Sequence, residues 1–264
     1  MRVNLQPAFI LHSRPYRDSS LLLEVFTAEH GRISLVARGA RRKSRGGSGG
    51  ALLQPFIPLL VSYSGRAEMK NLVANEVAGQ PLLLRAERMF SGLYVNELMM
   101  RLLHRHDPHP MLFAAYGQTL ESLAQLESMD TVLRHFEFTL LDQLGYGFDL
   151  TVDGRSGELV NENSWYHYDP DCGLFARGGT TDPAQPAYAG ADLLLMSQGE
   201  FGAAVRQTAK RLLRQALACQ LGELPLRSRD LFRARMAGTE GSALKAGDCD
   251  PSQPVTPVLR GANQ

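Results

Sequence analysis

Arg32-Ile-Ser-Leu-Val-Ala-Arg-Gly-Ala-Arg-Arg-Lys-Ser-Arg-Gly-Gly-Ser-Gly-Gly50 opens as a strand and ends as a loop. Ile33, Leu35 and Ala37 alternate with Arg32, Ser34 and Arg38, the period of two of a half-buried strand. Beyond it Arg38, Arg41, Arg42, Lys43 and Arg45 crowd together among glycines without one carboxylate. Cations packed this closely repel one another until an anion arrives, so the loop is suited to phosphate groups.

Upstream, Ala8 to His12 and Ser20 to Thr27 are rich in Leu, Ile, Phe and Val, and Ala28-Glu-His-Gly31 supplies a turn. Downstream, Pro55 to Tyr63 and Arg66 to Val77 read as two more strands, the first with prolines suited to a strand start or edge. Five short strands with a long basic loop between the third and fourth predict a small closed barrel of OB type over residues 1–80. A sandwich usually needs more strands.

Pro81 changes the period. Leu82 to Leu103, Pro110 to Leu126 and Asp130 to Leu144 carry apolar residues three and four apart, predicting helices joined by short connections in an antiparallel bundle. Pro110 suits a first helical position, Asp130 a cap and Gly145 a stop. Residues 148–190 break the pattern and read as a small irregular or hairpin insertion containing Trp165, Tyr166 and Tyr168. Helices return at Ala191 to Met196 and Phe201 to Leu221, where Arg206, Lys210 and Arg214 line the face opposite Val205, Ala209 and Leu212. Ser228 suits the cap of a last short helix, Arg229 to Met236, and residues 237–264 read as a disordered tail. The fold class is therefore α+β multidomain.

Bulk composition is ordinary, with 44% hydrophobic and 21% charged residues, and no window approaches the roughly 18 apolar residues of a membrane span. The start lacks a signal peptide pattern, which makes the cytoplasm the expected compartment. Cys172, Cys219 and Cys249 are too scattered for a disulfide framework and read as reduced thiols. The net charge of +1 hides an asymmetry, because residues 1–80 hold 11 Lys and Arg against 5 Asp and Glu. A second basic cluster lies in residues 201–235. Two separate cationic surfaces on a nearly neutral chain point to a polyanion held by particular faces.

Ala8-Phe-Ile-Leu-His-Ser-Arg-Pro15, Val36-Ala-Arg-Gly-Ala-Arg41, Leu53-Gln-Pro-Phe56, Gly92-Leu-Tyr-Val-Asn-Glu-Leu98, Leu144-Gly-Tyr-Gly147 and Pro225-Leu-Arg-Ser-Arg-Asp-Leu-Phe-Arg233 resemble the segments of the RecO family of bacterial recombination mediators. The resemblance spans residues 5–236. It implies an N-terminal OB domain, a helical domain and a zinc-finger-like insertion, in a protein that binds single- and double-stranded DNA and anneals complementary strands. It also implies partnership with RecR in loading RecA on DNA coated by single-stranded DNA-binding protein, with no catalytic residues. Many members carry four zinc-binding cysteines in the insertion. Here Cys172 stands alone between Phe148 and Gly179, so a tetrahedral zinc site is not expected and no cofactor is assigned.

The candidate DNA residues are Arg38, Arg41, Arg42, Lys43 and Arg45 of the loop, extended over the barrel by Arg14, Arg17, Arg32 and Arg66, with Tyr16 as a base-stacking platform. Arg206, Lys210 and Arg214 form the second surface. The resemblance further implies a pocket for the acidic, Phe-ending tail of single-stranded DNA-binding protein, for which Leu133, Arg134 and Phe136 are suitable neighbours, although Arg134 can equally pair with Asp130. His104, His106 and His109 sit around a helix end rather than in a metal pattern. No Walker loop, nucleophile elbow or nuclease-type carboxylate cluster is present. An RNA-binding OB protein of translation or RNA handling is the alternative function.

Overall fold

The structure is a computed structural model that describes residues 1–44, 47, 48, 50–125, 128–178, 184–228 and 230. It opens with β1 (Arg2–Tyr16), β2 (Ser20–Thr27) and β3 (Gly31–Ala37), followed by a minimal hairpin of β4 (Lys43–Ser44) and β5 (Gly47–Ser48). With β6 (Pro58–Ser64) and β7 (Met69–Val77), the long strands close into a barrel of order β1-β2-β3-β7-β6. The pairs are antiparallel except β3 with β7, which is parallel and short, from Ser34↔Met69 to Val36↔Asn71. Five strands form as expected. The first is longer than its apolar run suggests, because it pairs with both β2 and β6 and bends at register breaks on either side.

Residues 8–11 of β1 do not alternate in polarity because both faces are covered. Ala8 and Ile10 point into the barrel core with Val25, Ile33, Leu35 and Val61. Phe9 and Leu11 point outward into a second core shared with the helices. Phe9 and Phe26 each lie 5.5 Å from the Phe113 ring, and Phe9 meets Tyr116 edge-on at 5.1 Å. Aromatic pairs of this geometry add to simple burial.

The helical body comprises α1 (Glu87–Leu102), α2 (Pro110–Ala124), α3 (Met129–Gln143), α4 (Gly190–Ser197) and α5 (Ala203–Leu221). Pro110 opens α2 at its first turn. Gly145 ends α3 with φ +80, and the Tyr146 N–H returns to the Leu141 carbonyl at 2.8 Å, a glycine-terminated helix end. Asp130 lies within the first turn of α3 and is not its cap, a position held by Ser128. Asn96, buried on α1, donates to the Leu11 carbonyl at 2.9 Å and accepts from Tyr116 Oη at 2.6 Å, tying β1, α1 and α2 at one point.

The insertion is more regular than its sequence suggests. Here β8 (Trp165–Asp169) lies between β9 (Gly173–Ala176) and β10 (Tyr188–Ala189). Past α5, Arg101 of α1 donates to the Leu221, Leu224 and Pro225 carbonyls. Glu97 then accepts from the Arg227 and Ser228 N–H groups and from Ser228 Oγ. The expected capping role of Ser228 thus falls to a carboxylate from another helix. Burial pushes the Glu97 carboxyl up, but these hydrogen bonds and Arg101 outweigh it and hold it below its usual range. The expected helix at 229–236, apart from residue 230, and the tail at 237–264 lie outside the described residues. No helix among the described residues is long and apolar enough to cross a membrane.

Candidate nucleic-acid interface

One face of the barrel opens into a cleft of about 620 Å³ between the β1–β2 turn, the start of the basic loop and the β3–β7 seam. Tyr16, Arg17, Arg38 and Arg42 line it with Ser19, Val36, Met69 and Asn71. The β1–β2 turn holds Arg17 at φ +51, with its guanidinium 5.2 Å from the Tyr16 ring centroid. The loop is anchored where it leaves β3. Arg41 N–H donates to the Ser19 carbonyl at 3.0 Å, and a Cβ on Gly50 would lie 2.7 Å from the Ala40 carbonyl oxygen. Only glycine permits that approach, which returns the chain beside its own starting point.

Arg17, Arg38 and Arg42 therefore share one cleft with the Tyr16 ring, Ser19 and Asn71. Arg14 is exposed two residues before Tyr16, hence on the same strand face. Arg41 is exposed beside the cleft, and Arg66 is exposed in the β6–β7 turn, outside the cleft lining. Lys43 is described only as backbone of β4, and Arg45 lies outside the described residues.

Arg32 is not on this surface. Its guanidinium donates to the Met100 carbonyl of α1, and its backbone carbonyl accepts from His106 N–H at 3.0 Å. Burial lowers its pKa; Glu24 opposes this and Arg105 adds to it. Outward from β3 at that point means toward the helices, not toward water. Arg105 completes the junction by bridging Glu24 at 3.1 Å and Glu68 at 3.1 Å and donating to Ser34 Oγ.

A second concavity of about 400 Å³ lies between α1, α3 and α5. Phe90, Tyr94, Met129 and Leu133 give it apolar walls, Arg134 lies within it, and Lys210 and Arg214 stand exposed at its α5 rim. Arg134 is 94% buried and pairs with Glu137 at 2.9 Å, not with Asp130. Tyr94 Oη donates to the same carboxylate at 2.6 Å. Among the described residues Arg134 Nε has no hydrogen-bond partner. Glu87 and Asp130 also line the pocket, so its lining carries charges of both signs.

This grouping differs from the sequence reading in three places. Lys210 and Arg214 join Leu133 and Arg134 in one site rather than forming a separate surface. Phe136 faces away, lining a groove between α2 and α3 with Thr119, His135 and Thr139. Arg206 folds back on α5 and donates to the Phe201 carbonyl at 2.9 Å. The residues missed, Phe90 and Tyr94, stand four apart on α1, a spacing that signals a helix face but not what covers it.

Comparison with known proteins adds the relation. The family model described as Recombination protein O N terminal matches residues 1–80, and the one described as Recombination protein O C terminal matches residues 84–230. The chain belongs to the RecO family. The DNA repair protein RecO of Methylococcus capsulatus is 46% identical over 234 residues, covering 88% of this chain and 94% of that protein. The proteins of the same name from Pseudomonas paraeruginosa and Cellvibrio japonicus are 44% and 42% identical, covering 87% and 88% of this chain and 95% and 98% of theirs. The N-terminal barrel and helical body are those of a RecO protein.

Within this RecO chain, the insertion uses a carboxylate where a metal would need thiolates. Asp153 Oδ1 accepts from the Arg155 and Ser156 N–H groups and Oδ2 from Ala176 N–H at 2.7 Å. Burial raises its pKa, but the three N–H groups prevail and hold it low. The Arg155 guanidinium lies 3.5 Å above the Phe175 ring and pairs with Asp169 at 3.2 Å. A carboxylate already committed to three donors, one thiol and an intervening guanidinium do not fit a zinc ion. No group of three metal-ligating side chains occurs among the described residues.

Proposed function

We propose that this RecO protein is a non-enzymatic mediator of recombinational DNA repair, binding single- and double-stranded DNA and annealing complementary strands. With RecR it would load RecA onto DNA coated by single-stranded DNA-binding protein, in the cytoplasm at the nucleoid. The observation that carries this reading is the barrel cleft, which Arg17, Arg38 and Arg42 line together with Tyr16. Cations along a groove hold the backbone of a strand, and an aromatic face stacks any base, so binding needs no particular sequence. Arg14, Arg41, Lys43, Arg45 and Arg66 extend the track.

The α1–α3–α5 pocket is the proposed seat of the acidic, Phe-ending tail of single-stranded DNA-binding protein. The phenyl ring enters among Phe90, Tyr94 and Leu133, while Lys210 and Arg214 face the carboxylates. The same two cations can instead take DNA phosphates, so DNA and tail compete for this rim.

The deciding experiment is annealing of complementary oligonucleotides without ATP and in the presence of a chelator. Acceleration by the protein is the expected result, and its loss in Arg38→Ala/Arg41→Ala/Arg42→Ala places the activity on the barrel. Unchanged affinity and annealing in that variant would refute the cleft assignment. Stronger binding of RNA than of DNA of equal length would favour an RNA-handling role.

A further inference from the structure

Met69 and Asn71 line the outer cleft, and Lys70 between them points the other way. It is paired with Leu35, and paired residues of neighbouring strands share a face, so its side chain enters the barrel on the side of the core residue Leu35. Lys70 is 8% exposed, and among the described residues no hydrogen bond or ion pair holds its ammonium group. Tyr63 lies opposite Leu72, two residues on from Lys70 and hence on the same face. Its hydroxyl is buried without a hydrogen-bond partner among the described residues. Burial, with Glu29 nearby, pushes the Tyr63 phenol up to about 12, so it is a proton donor at neutral pH. Gly65 stands beside Lys70 and offers no side chain to cover it.

The surroundings of this pair are rich in nitrogen bases. His30, in the β2–β3 turn, meets the Tyr63 ring edge-on at 6.1 Å. His106, on the α1–α2 connection, has its pKa lowered by burial and then by Lys70, Arg105 and His30, with Glu68 opposing. The nearby carboxylates are engaged by other residues. Glu68 pairs with Arg105 at 3.1 Å, and Glu29 accepts from Gln6 at 3.2 Å in the amide orientation that also brings Gln6 to His30 Nδ1 at 3.3 Å. We propose that Lys70 and the Tyr63 hydroxyl form a phosphate-binding site at the end of the barrel beside the β2–β3 turn, filled by the terminal phosphate of a nucleic-acid strand or by free phosphate. An ammonium taken largely out of water is costly without a counter-charge, and a buried hydroxyl without a partner has given up its hydrogen bond to water. A single tetrahedral anion answers both, with one oxygen accepting from Lys70 and another from Tyr63 Oη. Two donors on adjacent strands, with Arg105, His30 and His106 around them, suit several diverging oxygens and more than one charge. An internal phosphodiester carries one charge and two chain substituents, so a strand end fits where the backbone of a passing strand does not.

The test is a titration of the full chain with inorganic phosphate, read by the ring-proton NMR signals of His30 and His106 and by melting temperature. Phosphate strengthens burial in any protein, so the variants supply the reference for melting. Phosphate is expected to move both ring signals and to raise the melting temperature of the native chain more than that of Lys70→Met. Affinity is expected to fall about 10-fold in Lys70→Met and about 5-fold in Tyr63→Phe. Tyr63→Phe removes a hydroxyl that holds no other described residue, so this variant keeps the barrel even if Lys70→Met does not. Ring signals that do not move in the native chain, or that move equally in it and in Tyr63→Phe, overturn the proposal. Oligonucleotides of one sequence, with and without a terminal phosphate, then decide the source. Displacement of free phosphate by the phosphorylated strand alone makes the strand end the ligand, and displacement by neither makes it free phosphate. Equal displacement by both shows no preference for a terminal group and overturns the proposal.

Discussion

Arg134 illustrates how a side chain in a proposed binding pocket can first be committed to packing. Its pair with Glu137 is nearly dry, and Tyr94 supplies a further donor to the carboxylate. Removing one member of such a pair strands the other without solvent, at a cost of about 3–5 kcal/mol. Arg134→Ala is therefore expected to lower urea stability by that order, whereas Arg134→Met/Glu137→Leu loses far less, and a double-mutant cycle would measure the coupling. Loss of peptide binding in Arg134→Ala alone would not separate the two roles, but Lys210→Ala/Arg214→Ala leaves the buried pair intact. Asp153 and Glu97 give a pH signature. Both carboxyls are held below their usual values of 3.8 and 4.5. The unfolded chain consequently takes up their protons first as acid is added. Their stabilisation is complete above those values and is lost as pH falls through the lower folded-state ones. Melting temperature should drop more steeply below about pH 4.5 in the native chain than in Glu97→Gln/Asp153→Asn.

At the level of elements, the α1–α2 connection docks on the β2–β3 turn. Gly31 has φ +62, and a Cβ there would lie 2.1 Å from the Asp107 carbonyl oxygen. Gly31→Ala combines left-handed strain with a backbone collision and is expected to cost about 3 kcal/mol, visible as a lowered melting temperature. The strand bearing this turn also shows where periodicity informs and where it does not. Alternation located β3, and three- and four-residue spacing located every helix of the body, because each buries one stripe. It could not say what lies on the other side. Arg32 alternates as a solvent-facing residue should, yet the barrel's exterior is covered there by α1. Phe136 fits the apolar stripe of α3, but that stripe is shared between two grooves. The extra length of β1 was hidden because residues 2–5 and 12–16, on either side of its apolar run, are mostly exposed and carry no apolar pattern. The basic loop, by contrast, was legible from composition alone, since five cations without a carboxylate have few uses inside a fold.

Across the whole molecule, the barrel cleft and the helical pocket set two separable electrostatic responses. If the proposed cleft holds a strand, loss of Arg38, Arg41 and Arg42 would remove up to three phosphate contacts, and the slope of log affinity for single strands against log salt should become shallower by roughly 2. Substitution of Lys210 and Arg214 should alter peptide binding more than that slope. The family and the arrangement of barrel, body and insertion followed from ordered sequence segments. The joining of Lys210 and Arg214 to Arg134 did not, because α3 and α5 are brought together by packing that no local pattern encodes.

The two-faced first strand also bears on how the protein is made. Phe9, Leu11 and Phe26 are finished early in synthesis, but Phe113 and Tyr116, which shield them, belong to α2. At ribosomal speeds of about 5–20 residues per second, a completed barrel waits roughly 2–7 s for that helix. During this interval an aromatic patch is bare on a nascent chain, and it is there that a holding chaperone would find its grip.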